Sequence, residues 1–207
     1  MAPNWMMNNL KMPFILVQLA GFERHCPNKR LPDDFWRKLT PNTNHAWTRL
    51  RETQAAIGNL PDVGLITAID VGDSSDVHPR DKQTLGLRAA KEAERLVYGR
   101  KIVSRGPAFR NMKIEGDKIR IYFDNIGGGL TTKDGKAPNA FAIAGKNGKF
   151  VWADAVIDGS SVVVSSPKVA DPVKVRYAWI TFRPDLNLCN KEGFPAFPFR
   201  TDAPEYK

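Results

Sequence analysis

The sequence predicts two architectures in succession: an α/β part over residues 1–100, then a small antiparallel β-sandwich over 101–207. Three observations predict this. The runs 13–20 and 63–69 are continuously apolar, the pattern of strands buried on both faces of a parallel sheet. Helical periodicity follows each run, over 46–57 and from 82 to about 98. After Gly99 the chain changes to short alternating runs punctuated by Gly, Asp and Asn, the spacing of an antiparallel sandwich.

Residues 1–11 are polar, with Trp5 and three Met, and read as a helix end or a leader. The first strand, Pro13-Phe-Ile-Leu-Val-Gln-Leu-Ala, opens onto a long connection, 21–44, rich in Pro, Asn, Arg and Lys. A loop of that length is often functional, as an active-site lid is. Within it Phe35-Trp36 suggests a short helical turn; His25 there, and His45 near the next helix, read as surface residues. The helix 46–57 places Trp47, Leu50 and Gln54 on one side, and Gly58 closes it as a C-cap. The second strand, 63–69, leads into an acidic loop. The next helix carries Leu85, Ala89, Glu92, Ala93, Leu96 and Val97 on one face before Gly99 ends it.

In the β part, 112–123 reads as a hairpin turning at Gly116-Asp117. Residues 141–144 and 150–152 form a second hairpin, and 155–157 with 162–164 a third, turning at Asp158-Gly159. Residues 173–179 alternate strictly. The tail, 187–207, is rich in Phe and Pro and is expected to pack back along a surface.

The chemistry concentrates in the loop between the second strand and the second helix, Asp70-Val-Gly-Asp-Ser-Ser-Asp-Val-His-Pro-Arg-Asp. In open α/β folds ligands bind at the carboxyl ends of strands, where this loop lies. Pro79 biases His78 towards extended backbone, and in extended chain residues two apart point the same way. Asp76 is thereby brought within reach of the His78 ring, with Asp73, Ser74 and Ser75 close by. A carboxylate-held imidazole is the general-base half of a hydrolytic triad. A plain strand-to-helix turn with a surface His and a helix cap, and a metal site, are the other two readings. For the metal, Asp70, Asp73 and Asp76 miss the every-second-residue spacing of a calcium loop.

Composition narrows the function classes. The 207 residues suffice for one large domain or two small ones, and the 42% apolar fraction suits a soluble globular chain. No apolar run reaches the length of a membrane span. The run 12–20 contains Gln18 and no small-residue cleavage site follows, so it reads as a buried strand rather than a signal peptide. A net charge of +9 raises a polyanion partner, but the Lys and Arg are scattered with no aromatic-interleaved stripe, which argues against nucleic acid. Cys26 and Cys189 form no disulfide framework and no zinc motif, and they do not identify the compartment.

Two strands buried on both faces do not make an independent sheet. The strand 13–20 should have a further parallel neighbour on its free side, because an open edge presents unpaired backbone groups. The chain is therefore expected to be the second half of a larger α/β domain. The nucleophile tells the same story: no Gly-flanked Ser follows a strand and opens a helix. Ser160-Ser161 and Ser165-Ser166 lie in β turns and strands and read as structural.

At these residues the sequence resembles a known family. Gly72-Asp-Ser-Ser-Asp-Val-His-Pro-Arg-Asp-Lys-Gln-Thr-Leu-Gly86 is similar to the last conserved block of the sialate O-acetylesterases, a branch of the SGNH (GDSL-like) serine esterases. Phe14-Ile-Leu-Val-Gln-Leu-Ala, Trp47-Thr-Arg-Leu-Arg-Glu-Thr-Gln, Gly127-Gly-Gly-Leu, Phe141-Ala-Ile-Ala-Gly, Phe150-Val-Trp-Ala-Asp-Ala, Val175-Arg-Tyr-Ala-Trp and Asn190-Lys-Glu-Gly-Phe-Pro-Ala resemble it in the same order. The resemblance covers nearly the whole chain but only the C-terminal part of a full-length member. It implies a flavodoxin-like (SGNH) sheet with a β-sandwich behind it, hydrolysis of O-acetyl esters on sugars, and no cofactor. It implies that His78 is the catalytic base and Asp76 its orienting acid. The wider superfamily places the acid three residues before the His, where this chain has Ser75; the sialate branch reads Asp-Ile-His-Pro, which Asp76 fits with Val77 for Ile. Asp73 is the alternative acid. The family's Gly-Gln-Ser-Asn nucleophile block and its oxyanion-hole residues do not occur here. The partners implied are an acetylated carbohydrate and the N-terminal half of the same enzyme, or another copy; sialate, xylan and other glycans all suit the family, which is often secreted or periplasmic. A second reading is a non-catalytic β-sandwich module that binds carbohydrate or a partner.

Overall fold

The computed structural model describes residues 12–23, 39–42 and 45–202. The expectations for residues 1–11, His25, Cys26 and Phe35-Trp36, and most of the proposed lid, lie outside the described residues. Strand β1, Phe14–Gln18, pairs in parallel with β2, Val63–Thr67, in the register Leu16 to Leu65. Helix α1, Ala46–Ile57, and helix α2, Lys82–Leu96, follow β1 and β2 in turn. Among the described residues this part holds one parallel strand pair with its helices.

Two expectations for this part are corrected. The strand 13–20 is not buried on both faces: Phe14 is 62% and Val17 41% exposed, while Gln18 is buried. Among the described residues β1 has β2 on one edge and no strand on the other. Helix α1 does not turn Leu50 inward; its buried residues are Thr48 and Arg51. Arg51 faces inward because four carbonyls wait there. It donates to Leu19 O at 2.9 Å, Ala20 O at 2.6 Å, Ile180 O at 2.7 Å and Thr181 O at 2.9 Å. Trp47 Nε1 donates to Ala20 O and Leu19 N to Gln54 Oε1, so those two side chains, on the same side of the helix, meet the strand end.

Helix α2 likewise buries charge. Arg88 and Glu92 are its buried residues, on the same stripe as Leu85 and Ala89. Glu92 accepts from Arg95, Ser104 and Arg105, and packs against Gly64 of β2. Buried charges are tolerable only when paired in this way. None of the described helices is long and apolar enough to cross a membrane.

The remaining strands are antiparallel. β3 (Ala108–Glu115), β4 (Lys118–Asp124), β8 (Asp154–Asp158) and β9 (Ser161–Ser165) form one sheet in the order β3-β4-β9-β8. β6 (Phe141–Ala144), β7 (Val151–Trp152), β10 (Lys174–Tyr177) and β12 (Phe199–Arg200) form a second, in the order β12-β10-β6-β7. β5 (Leu130–Thr132) pairs with β11 (Leu188–Asn190) as a separate ribbon. Ile119, Ile121, Val162 and Val164 from the first sheet and Phe141, Ile143, Val175 and Tyr177 from the second share one core. Each set alternates along its strand, as facing sheets require.

The described part of the tail, 187–202, does not lie along a surface. It supplies β11 and β12, buries Ala196 and Phe197, and stacks Phe199 on Phe109 at 4.5 Å between ring centroids. Nor is the outward side of β10 simply polar. Arg176 is 7% exposed, lies 3.9 Å over the Phe150 ring and is held by Asp202.

Candidate active site

The loop 68–80 leaves the carboxyl end of β2 and runs to Asp81, whose carboxylate accepts from Thr84 N at 2.9 Å and caps α2. Its base is fixed at Asp70. Arg88 donates to both Asp70 oxygens, at 2.7 and 2.8 Å, and Lys133 reaches the same carboxylate from beyond β5. Burial alone would raise the Asp70 pKa, but the Arg88 and Lys133 cations outweigh it and hold the carboxyl below its usual range. One turn on, Gly72 passes so close to Gly21, in the segment after β1, that a Cβ would overlap the Gly21 backbone. Glu23 N then donates to Ser74 O at 3.2 Å, and Thr181 Oγ1 donates to Glu23 Oε2 at 2.5 Å. The loops after β1 and β2 therefore meet at one rim, against the 180–181 segment.

On that frame the chain folds two successive Asx turns. Asp73 Oδ1 accepts from Ser75 N at 2.9 Å and Ser75 Oγ at 2.8 Å. Asp76 Oδ1 accepts from His78 N at 2.9 Å and lies 3.2 Å from His78 Nδ1. The turn that ties the backbone also presents the carboxylate to the ring. The amide of His78, then its ring, draw the Asp76 pKa below the ordinary carboxylate value. The amide and hydroxyl of Ser75 do the same for Asp73.

The structure thus brings together the two residues singled out in the sequence, Asp76 and His78. Asp73 is engaged elsewhere, by Ser75 and, at 3.9 Å, by Arg80. The His78 side chain is 80% and Asp76 46% exposed, so the pair stands on the rim rather than in the core. With Nδ1 towards a carboxylate, the ring is held in the tautomer that leaves Nε2 able to accept a proton. Among the described residues no serine hydroxyl meets that ring; Ser75 Oγ is bonded to Asp73, and Ser161 Oγ to Asp158 O. Nor do three His, Cys, Asp or Glu side chains gather as a metal site among the described residues.

Arg51 and Trp47 serve the end of β1 and the 180–181 segment rather than a ligand site. The positioning residues Arg88 and Lys133 were not anticipated. Arg88 carried a signal: it falls on the inward stripe of α2, three residues after Leu85 and four before Glu92. Lys133 carried none, since 63 residues separate it from Asp70.

Among solved structures, a carbohydrate acetylesterase from Xanthomonas citri superposes with a TM-score of 0.81 at 38% identity, over 93% of this chain and 42% of that one. The chain therefore spans less than half the length of that enzyme. No family model and no curated protein matches the chain.

Proposed function

We propose that this chain is the C-terminal part of a carbohydrate O-acetylesterase of the sialate O-acetylesterase type. Residues 1–100 are then the second half of a flavodoxin-like SGNH domain, and 101–207 its β-sandwich. The observation that carries the reading is the Asp76–His78 pair, 3.2 Å apart at the carboxyl end of a parallel strand pair, in a chain similar to an acetylesterase. In the assembled enzyme a Ser from outside these residues attacks the acetyl carbonyl. His78 takes the Ser proton and returns it to the leaving sugar hydroxyl, while Asp76 holds the tautomer and stabilises the imidazolium. Donors from the same outside half hold the oxyanion, an effect of about 3–4 kcal/mol per donor.

Exposed apolar side chains support an outside half. Among the described residues, the large exposed apolar side chains Phe14, Val17, Leu50, Ile57, Leu60, Val77, Leu87, Val97 and Tyr98 lie in the first hundred, against Ile114 and Val156 in the rest. Apolar exposure concentrated in this part is what an outside half would cover. The test is hydrolysis of p-nitrophenyl acetate by this chain alone, and again with a polypeptide carrying the Gly-Gln-Ser-Asn block. Activity only in combination, reduced by several orders of magnitude in His78→Ala, is expected. Activity in neither case favours a binding module, and a small effect of His78→Ala removes His78 from the mechanism.

A further inference from the structure

We propose that the edge strand β8 carries a second, non-catalytic trough that binds a neutral saccharide. Two hollows meet on this strand. One, about 550 Å³, opens where the chain passes from β7 into β8 between the rims of the two facing sheets, along Trp152, Pro138 and Arg183. The other, about 530 Å³, lies on the outer face of the β3-β4-β9-β8 sheet, along Arg120 and Val163. Asp154 and Val156 line both, so the two hollows run together across the strand and accept more than one ring.

The lining has the chemistry of sugar recognition. A pyranose offers apolar C–H faces and hydroxyl edges that both donate and accept. Trp152 supplies an aromatic ring, packed on Phe150 and the small Ala142 and Ala144, with the Arg183 guanidinium over the ring at 5.6 Å from its centroid, so ring and guanidinium line the hollow together. Arg183 is itself fixed by Asp185 at 2.7 Å, so this planar polar group is ordered before any ligand arrives.

Charge selects the class. The chain carries a net +9, yet Glu115, Asp117, Asp154 and Asp158 stand here against Lys118, Arg120 and Arg183. Four carboxylates against three cations give an acidic sugar no attraction. The trough also connects to the candidate active site. Arg183 follows Thr181, which holds Glu23, which holds Ser74 in the His78 loop. A role as a substrate subsite rests on the esterase reading; the binding does not.

The test is a titration of the ¹⁵N-labelled full chain with hexasaccharides of xylose, glucose and mannose, and with 3′-sialyllactose. At least one neutral hexasaccharide is expected to shift the Trp152 indole N–H with saturation, and 3′-sialyllactose to bind more weakly. Trp152→Ala should weaken binding about tenfold or more. Asp154→Ala, at an exposed position that leaves the core intact, should weaken it severalfold. No shift at Trp152 with any neutral sugar, tighter binding of 3′-sialyllactose, or unchanged affinity in both variants overturns the proposal. Binding that persists in a chain with no esterase activity in any combination leaves the trough standing and removes only the esterase reading.

Discussion

Arg88 grips both oxygens of Asp70, and the nitrogen that takes the first of them also reaches Thr67 O at 2.8 Å. One guanidinium thus ties the last residue of β2, the base of the following loop and the inner face of α2. The acidic loop is aimed from that junction, and Lys133 fastens it to the β part.

Asp70→Asn removes the anion and leaves Arg88 and Lys133 facing each other as uncompensated cations. Both members of the Asp70–Arg88 pair are nearly buried, at 4% and 8% side-chain exposure. The expected loss is about 3–5 kcal/mol, read as a lowered urea midpoint. An unchanged midpoint would show that the junction is not structural.

Acid should unfold the chain by releasing this junction and one other. Burial would raise Glu92, but Arg95, Arg105 and Ser104 outweigh it, so it shares the downward direction of Asp70. A depressed carboxylate gives stability that is full above its unfolded value, about 4, and lost as pH falls through its lower folded value. The melting temperature is expected to be level from about pH 8 to 5 and to fall below about 4, with a shallower acid limb in Asp70→Asn.

Gly72→Ala places a Cβ inside the Gly21 backbone and forces the two rim loops apart. Calorimetry should show a loss of about 1–3 kcal/mol, with a parallel loss of esterase activity in the assembled enzyme. Gly86→Ala, in α2 with open space around it, should instead stabilise by about 0.5–1 kcal/mol.

Arg51→Met strands the carbonyls of Leu19 and Ile180, while Ala20 O keeps Trp47 Nε1 and Thr181 O keeps Phe22 N. Burial draws the Arg51 pKa down to about 9, so the guanidinium stays charged at neutral pH and donates to all four. With two stranded acceptors costing about 1–3 kcal/mol each, a total loss above about 2 kcal/mol is expected in denaturant unfolding. Arg51→Lys should recover little, because an ammonium cannot span four carbonyls.

Asp76→Asn and Asp73→Asn separate the two candidate acids. In the assembled esterase Asp76→Asn should lower kcat about 10⁴-fold by presenting the wrong tautomer, while Asp73→Asn should cost little. The reverse order would move the acid to Asp73. Both aspartates close Asx turns, so equal melting temperatures would show that the difference is chemical.

Much of the fold was legible because it depends on local pattern. Both helices, the two parallel strands and the hairpin at Gly116-Asp117 fall where periodicity and turn chemistry put them, and the hairpin expected to turn at Asp158-Gly159 turns one residue later, at Gly159-Ser160, with Asp158 paired to Ser161. The Asp76–His78 contact was legible for the same reason, since residues two apart in an Asx turn meet whatever the rest of the chain does. The inward charges were not. Hydrophobic period assigns Leu50 to the core, yet Arg51 goes in, because four carbonyl ends from two distant segments converge there.

By itself, then, the sequence determined the two helices, the parallel strand pair, the main hairpins and a carboxylate beside an imidazole, all set within short stretches of chain. Only the tertiary structure decided that Asp70 is clamped by Arg88 and Lys133, that the Phe- and Pro-rich tail becomes two strands, and that β8 forms the floor of a trough. Those features join residues tens of positions apart, and no local pattern encodes which distant donor will satisfy a buried acceptor.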